Sequence, residues 1–322
     1  MTLVMSFPAR RDCRGRWNTP SLRAMNVQAS EIDPQHLRPL LPLNWWGLFL
    51  RAIAATVILM AANMARSIPA RWYSGVGEET RLAYNTAWFV LTPVLVFLAV
   101  WAWMRWVERA PLRLTGVAGG RRAVSGMLGG SALVACPMVV GWFVLAAVGG
   151  GLNSGPETPG GGETAVGVAV GVAYVLVRAY VLQGFPEELL YRGWLFSIVR
   201  DRPWVAFWFT TFSFMIIHLA SAGGQQNVVE RLVYLVLPLG MGMLAGAVVL
   251  WRGSMWWAVG THGGMHLMLA VLTVAYPVEL GTASWLVLGL AQVIMAAVIL
   301  ALWHRQPREQ DREGFRVRAE DM

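Results

Sequence analysis

The sequence predicts an all-α, polytopic integral membrane protein of about eight transmembrane helices enclosing an intramembrane polar cavity. Three observations carry this expectation. Hydrophobic residues fill 56% of the 322 positions and charged residues only 14%, with a mean hydropathy of +0.51, a balance foreign to soluble domains. Apolar runs of about 20 residues, the length that crosses a ~30 Å hydrocarbon core, recur along the chain. Two carboxylates and a guanidinium, Glu187, Glu188 and Arg192, nonetheless stand inside one of these runs. A charge near the bilayer centre costs roughly 2.5–3.5 kcal/mol on the most lenient scale, so it is kept for a partner or a task.

The first span is read at 46–65 and the second at 88–104, both edged by tryptophans as at a membrane interface. A third covers 124–148 and is followed by a Gly- and Pro-rich loop, 150–163, that cannot hold a helix. From 164 to 199 the chain stays apolar, longer than one crossing needs, and Pro186 is expected to break or kink it. Further spans follow at 204–220, 231–250, 255–276 and 285–303. The organisation is therefore a polar N-terminal segment at 1–44, one multi-span membrane domain at 45–304 and a polar tail at 305–322.

The net charge of +8 rests on arginine alone, because the chain has no lysine. Arginines at span ends are topology and headgroup signals, so the bilayer is an expected partner and nucleic acid is not. With the N-terminus inside, the inner segments hold six arginines from Arg10 to Arg38, five from Arg105 to Arg122, then Arg200, Arg202 and Arg252, and five in the tail. The outer segments hold only Arg66, Arg71, Arg81 and Arg231. This bias places both termini on the cytoplasmic side of the cell membrane. Cys13 and Cys136 form neither a CxxC pair nor a metal pattern, and no disulfide is expected. The Arg-rich start lacks an apolar core with a cleavage site, so it does not read as a signal peptide.

Every Asp and Glu other than Glu187 and Glu188 falls in a loop, at a span edge or in a terminal segment. Of the histidines, His218, His262 and His266 lie within spans, whereas His36 and His304 lie in polar segments. Three imidazoles with two carboxylates suffice for proton transfer, metal binding or both. Glu188 and Arg192 are four apart, share a helix face and can neutralise each other, while Glu187 points about 100° away. Glu188 and Arg192 thus read as structural support. Glu187, buried beside a like charge, reads as a carboxylate suited to general-base work. The competing reading is an inert network of both glutamates with Arg192 and Arg178. His262 and His266 also share a face, with Gly263 and Gly264 between them to admit backbone or substrate. Their spacing can ligate a metal, but the glutamate of an HExxH helix is absent. At ~1.5 Å per residue from the cytoplasmic span ends, Glu187 lies ~18 Å deep, His218 ~21 Å and His262 ~11 Å, so all three can line one cavity.

Glu187-Glu188-Leu189-Leu190-Tyr191-Arg192 fits an EExxxR motif, Phe214 to His218 an FxxxH motif, and His262 to His266 stands where an HxxxN-like motif would. In this order, over roughly 164–270, they resemble the CPBP family (CAAX protease/bacteriocin-processing, or Abi), which includes the Rce1-type CAAX prenyl endopeptidases. The departure is His266, where family members often carry asparagine; histidine can still donate a hydrogen bond. The resemblance implies an intramembrane endopeptidase acting on a peptide or membrane-protein substrate. Glu187 and His218 would activate a water, His262 and His266 would stabilise the oxyanion, and Glu188 with Arg192 would support them. It implies no cofactor, with zinc on His218, His262, His266 and Glu187 as a minority option. Two other classes stay open: a proton-coupled transporter, though no inverted repeat is visible, and a non-catalytic immunity or scaffold membrane protein.

Overall fold

The computed structural model describes residues 10–11, 17–18, 39–73, 75–149, 165–221, 223–278 and 280–305. Among these, eight helices are long and apolar enough to cross a membrane: α1, Trp45–Pro69; α2, Glu78–Trp106; α3, Arg121–Val148; α4, Ala165–Ile198; α5, Pro203–Ala220; α6, Val228–Arg252; α7, Met255–Ala275; and α8, Thr282–His304. The extended pairing among the described residues is a two-residue antiparallel ladder, Arg10–Arg11 with Trp17–Asn18. The loop expected at 150–163, most of the N-terminal segment with Cys13 and His36, and the tail from 306 lie outside the described residues.

Two helices start earlier than their apolar runs. α2 opens with Glu78 and Glu79, whose charges suit the positive end of the helix dipole. α6 opens at Val228 because Asn227 caps it. The Asn227 side chain accepts from the Glu230 N–H at 3.0 Å, and the Glu230 carboxylate accepts from the Gln226 N–H at 2.7 Å. Polar first turns of this kind lie outside a hydropathy reading.

Pro186 does not break α4. The helix runs from α-form (Ala165–Leu176) to π-form (Val177–Gly184), through one α turn (Phe185–Glu188), to a second π stretch (Leu189–Leu195) and a last α turn (Phe196–Ile198). Proline stops an α-helix by withholding an N–H and pressing its ring on the carbonyl four residues back. Here it falls where the ladder changes register. The Phe185 N–H still reaches the Tyr180 carbonyl, five residues back, and the Leu189 N–H reaches the Phe185 carbonyl, four back. π stretches are rare and recur at functional sites.

Close backbone approach sets the packing of α3 on α7. A Cβ on Gly130 would collide with the Trp257 carbonyl, and one on Gly260 with the Met127 carbonyl. Small residues replace side-chain contacts here, as is usual between membrane helices that lack a hydrophobic driving force.

A second fastening was not singled out in the sequence. Arg51, fully buried in α1, is paired with Glu108 at the end of α2, Nε to Oε1 and Nη2 to Oε2, both at 2.8 Å. Its remaining N–H groups reach the carbonyls of Pro42, Gly47 and Leu41, each at 3.0 Å. Glu108 Oε1 also accepts from Trp103 Nε1 at 2.8 Å and from Trp194 Nε1, on α4, at 3.4 Å. All five guanidinium donors are used, and the start of α1 is locked to α2 and α4. An arginine inside a predicted span is a signal in itself. Glu108→Leu strands Arg51 without a counter-charge and is expected to cost about 3–5 kcal/mol, read as a lowered unfolding midpoint in detergent. The double variant with Arg51→Leu should recover part of that loss.

Candidate functional site

The turn Phe185–Glu188, held between the two π stretches of α4, sends its two carboxylates to different surroundings. Glu188 is buried. Its Oε1 meets His262 Nδ1, on α7, at 2.9 Å, and its Oε2 pairs with Arg192 Nε at 3.3 Å. Arg192 Nη2 donates to the Gly242 carbonyl on α6 at 2.8 Å, and Thr211 Oγ1, on α5, donates to the same oxygen at 3.2 Å. One carboxylate and one guanidinium thereby tie α4, α5, α6 and α7 together. The expected pairing of Glu188 with Arg192 is present, and it extends to His262.

Phe214 sits at the centre of the imidazoles. Its buried ring lies 4.6 Å from the His218 ring and 5.6 Å from that of His262, with the Arg192 guanidinium 4.7 Å above it. Its carbonyl accepts from His218 Nδ1 at 2.8 Å. A carbonyl cannot donate, so His218 carries its proton on Nδ1 and leaves Nε2 as an acceptor. His262 likewise offers an Nδ1 proton to Glu188. His218 stands on the tight turn that ends α5, where Arg231 Nη1 caps the Leu219 carbonyl at 3.0 Å. His266, half-buried one turn beyond His262, lies 5.3 Å from it between ring centres.

Glu187 points elsewhere. Its Oε2 is enclosed and has no protein partner, although an unmet buried acceptor costs about 1–3 kcal/mol. With His218 it lines a cavity of about 450 Å³ whose far wall is α1, including Thr56 and Asn63. Gln183, one turn before Glu187, also has an enclosed, unpartnered Oε1. The structure thus sets Glu187 and His218 on one cavity and hydrogen-bonds Glu188 to His262, whose ring also lies within electrostatic reach of Glu187. Among the described residues no three His, Cys, Asp or Glu side chains are gathered as a metal set.

The glycines between His262 and His266 do not open toward a substrate. The Tyr180 ring covers Gly263, and the backbone of Ser131 abuts Gly264. Tyr180 is itself held by Ser131, hydroxyl to hydroxyl at 2.7 Å. They serve helix packing because a side chain at either position would displace α4 or α3. Sequence reasoning also missed Gly242, which acts through its carbonyl and so leaves no mark in a residue pattern, and α1, whose polar residues lie outside the recognised motifs.

Fold and site together define a multi-pass α-helical membrane protein with a buried glutamate, histidine and arginine cluster. Residues 169–268 match the family model described as type II CAAX prenyl endopeptidase Rce1-like, and this match supports assignment to the CPBP, Rce1-type family. All six charged or imidazole residues named from the motifs fall inside the matched segment, whereas α1 and α2 fall outside it. The family implies endopeptidase activity, a peptide substrate and a place in the membrane. No curated protein sequence matches the chain.

Glu188→Gln should remove the counter-charge of Arg192 and weaken the bond to His262. The expected cost is about 3–5 kcal/mol, measurable as a lowered thermal midpoint in detergent. An unchanged midpoint would show that the four-helix tie does not depend on this carboxylate.

Proposed function

We propose that the chain is an intramembrane endopeptidase that hydrolyses a peptide bond with a water held between Glu187 and His218. The observation that carries this reading is the placement of an unpartnered carboxylate oxygen and an imidazole of fixed tautomer on one cavity. His218 Nε2 accepts one hydrogen bond from the water and orients it. Glu187 takes the water's proton as its oxygen bonds to the scissile carbonyl carbon, and the carbonyl electrons move to the oxygen. The tetrahedral intermediate then expels the amine, which receives the proton from Glu187.

His262 is the proposed oxyanion donor. Because Nδ1–H is engaged by Glu188, Nε2 donates only from the doubly protonated ring, and Glu188 is then the counter-ion of that imidazolium. A donor of this kind is worth roughly 2.7–4 kcal/mol in well-studied hydrolases. His266, on the next turn, is the proposed second donor in the place of the family's asparagine. Glu188 and Arg192 act as positioning residues, and the reading assigns no cofactor. The arginine distribution supports a cell-membrane protein with both termini cytoplasmic.

The test is cleavage of internally quenched apolar peptides by the full chain in proteoliposomes, beside a comparison of membrane peptides from cells with and without it. Glu187→Gln and His218→Ala are each expected to lower kcat/KM by about 10²–10⁴-fold, the usual worth of general acid–base catalysis, with the unfolding midpoint kept. Full proteolysis by Glu187→Gln would overturn the proposal.

A further inference from the structure

α1 lies outside the segment that carries the family match, yet it forms one wall of the cavity that holds Glu187 and His218. Six of its residues line that cavity: Thr56, Leu59, Met60, Asn63, Met64 and Ser67. They fall at i, i+3, i+4, i+7, i+8 and i+11, a single continuous stripe of a helix. Three of the six, Thr56, Asn63 and Ser67, are polar and stand on the face turned to the cavity. The stripe is therefore not lipid-facing surface by default, and its composition asks for an occupant.

Asn63 shows what that occupant offers. The Thr92 hydroxyl, from α2, is placed to donate to Asn63 Oδ1 at 3.3 Å. With its oxygen turned to Thr92, the amide presents Nδ2 and its two protons away from α2, and no protein acceptor is assigned to them among the described residues. Thr56 spends its hydroxyl proton on the Ala52 carbonyl at 3.0 Å, and its side chain, on the cavity lining, also reaches the buried Tyr191 hydroxyl. The stripe thus offers hydrogen-bond donors at Asn63. An extended peptide needs such donors for its carbonyls. Its N–H and C=O groups lose water on entering a membrane cavity, and each left unmet costs several kcal/mol.

Leu59, Met60 and Met64 make the apolar, adaptable part of the stripe. Met60 and Met64 are about half or more exposed, at 48% and 71%, and stand with Leu59 opposite Ile217 of α5. Methionine fills irregular gaps and tolerates different partners. Among the described lining residues the ionisable ones are Glu187 and His218, so the wall selects for uncharged side chains on either side of the cut.

We propose that α1 is the substrate-binding wall of the site, and that Asn63 donates its Nδ2 protons to a backbone carbonyl of an extended, apolar peptide lying between α1 and α5. Met60 and Met64 receive its side chains. Thr92 is a positioning residue that orients the amide. This assignment rests on the endopeptidase reading above and adds the residues that choose the substrate.

Asn63→Asp separates a substrate contact from a structural one. The aspartate keeps the acceptor for Thr92, and with it the α1–α2 contact, but has no proton to give a peptide carbonyl. With internally quenched apolar peptides in proteoliposomes, the expected result is a kcat/KM lowered about tenfold or more at a pH where the aspartate is ionised, carried mainly by KM as a loss of uniform binding. Thr92→Val should lower kcat/KM in the same direction by less. As a second measurement, an apolar peptide bearing a benzophenone group is irradiated with the Glu187→Gln chain, and adducts are mapped by mass spectrometry. Adducts at Met60 or Met64 support the wall. Adducts confined to other helices, or an Asn63→Asp chain that cleaves like the wild type, overturn it. A wild-type chain that cleaves no peptide overturns the endopeptidase reading instead, so the two failures are distinguishable.

Discussion

A carboxylate withdrawn from water must be met by donors, and Glu188 is where this protein meets that demand. It accepts from His262 and pairs with Arg192, and Arg192 passes the constraint on to the Gly242 carbonyl. Four helices are thereby fixed around one acid. Such a cluster adds little to stability compared with a well-packed apolar core, because desolvation offsets most of the Coulomb gain. It does add direction. Each partner of Glu188 has one orientation that satisfies it, so the imidazole of His262 is held in one tautomer and one pose before any substrate arrives.

The same economy of orientation runs through Phe214. Its ring is shared by Arg192, His218 and His262, and its carbonyl sets the proton of His218. The FxxxH spacing is therefore a physical unit: a carbonyl and a side chain one helical turn apart, with the aromatic ring as the floor. Glu187 is left with its Oε2 free of a protein hydrogen bond, on the cavity side of the cluster. Preorganised groups around an unsatisfied carboxylate oxygen form the arrangement expected where chemistry, not packing, decides the residue.

The Arg51–Glu108 pair gives α1 a comparable anchor outside the matched segment. It secures the start of the helix against α2 and Trp194 of α4, while the stripe from Thr56 to Ser67 borders the cavity further along. One end of α1 is thus held in register with α4, and the remainder is free to serve the substrate. Thr92 adds a second, weaker link from α2 to Asn63. The cavity wall and the reactive helix are positioned by the same neighbour.

Hydropathy and the 3.6-residue period are local properties, so the sequence by itself determined the eight spans, the intramembrane position of Glu187, Glu188, Arg192 and the three histidines, and the divergence of the adjacent glutamates. The capped starts of α2 and α6 escaped it because caps are polar, and the continuity of α4 through Pro186 escaped it because a change of ladder register is a backbone event. Which donor meets which acceptor was decided only by tertiary structure. His262 turns to Glu188, and α1 faces Glu187, because helix rotation and crossing are set where Gly130 meets Trp257 and where Arg51 meets Glu108. Those contacts join residues tens to more than a hundred positions apart, and no local pattern encodes the rotation they impose.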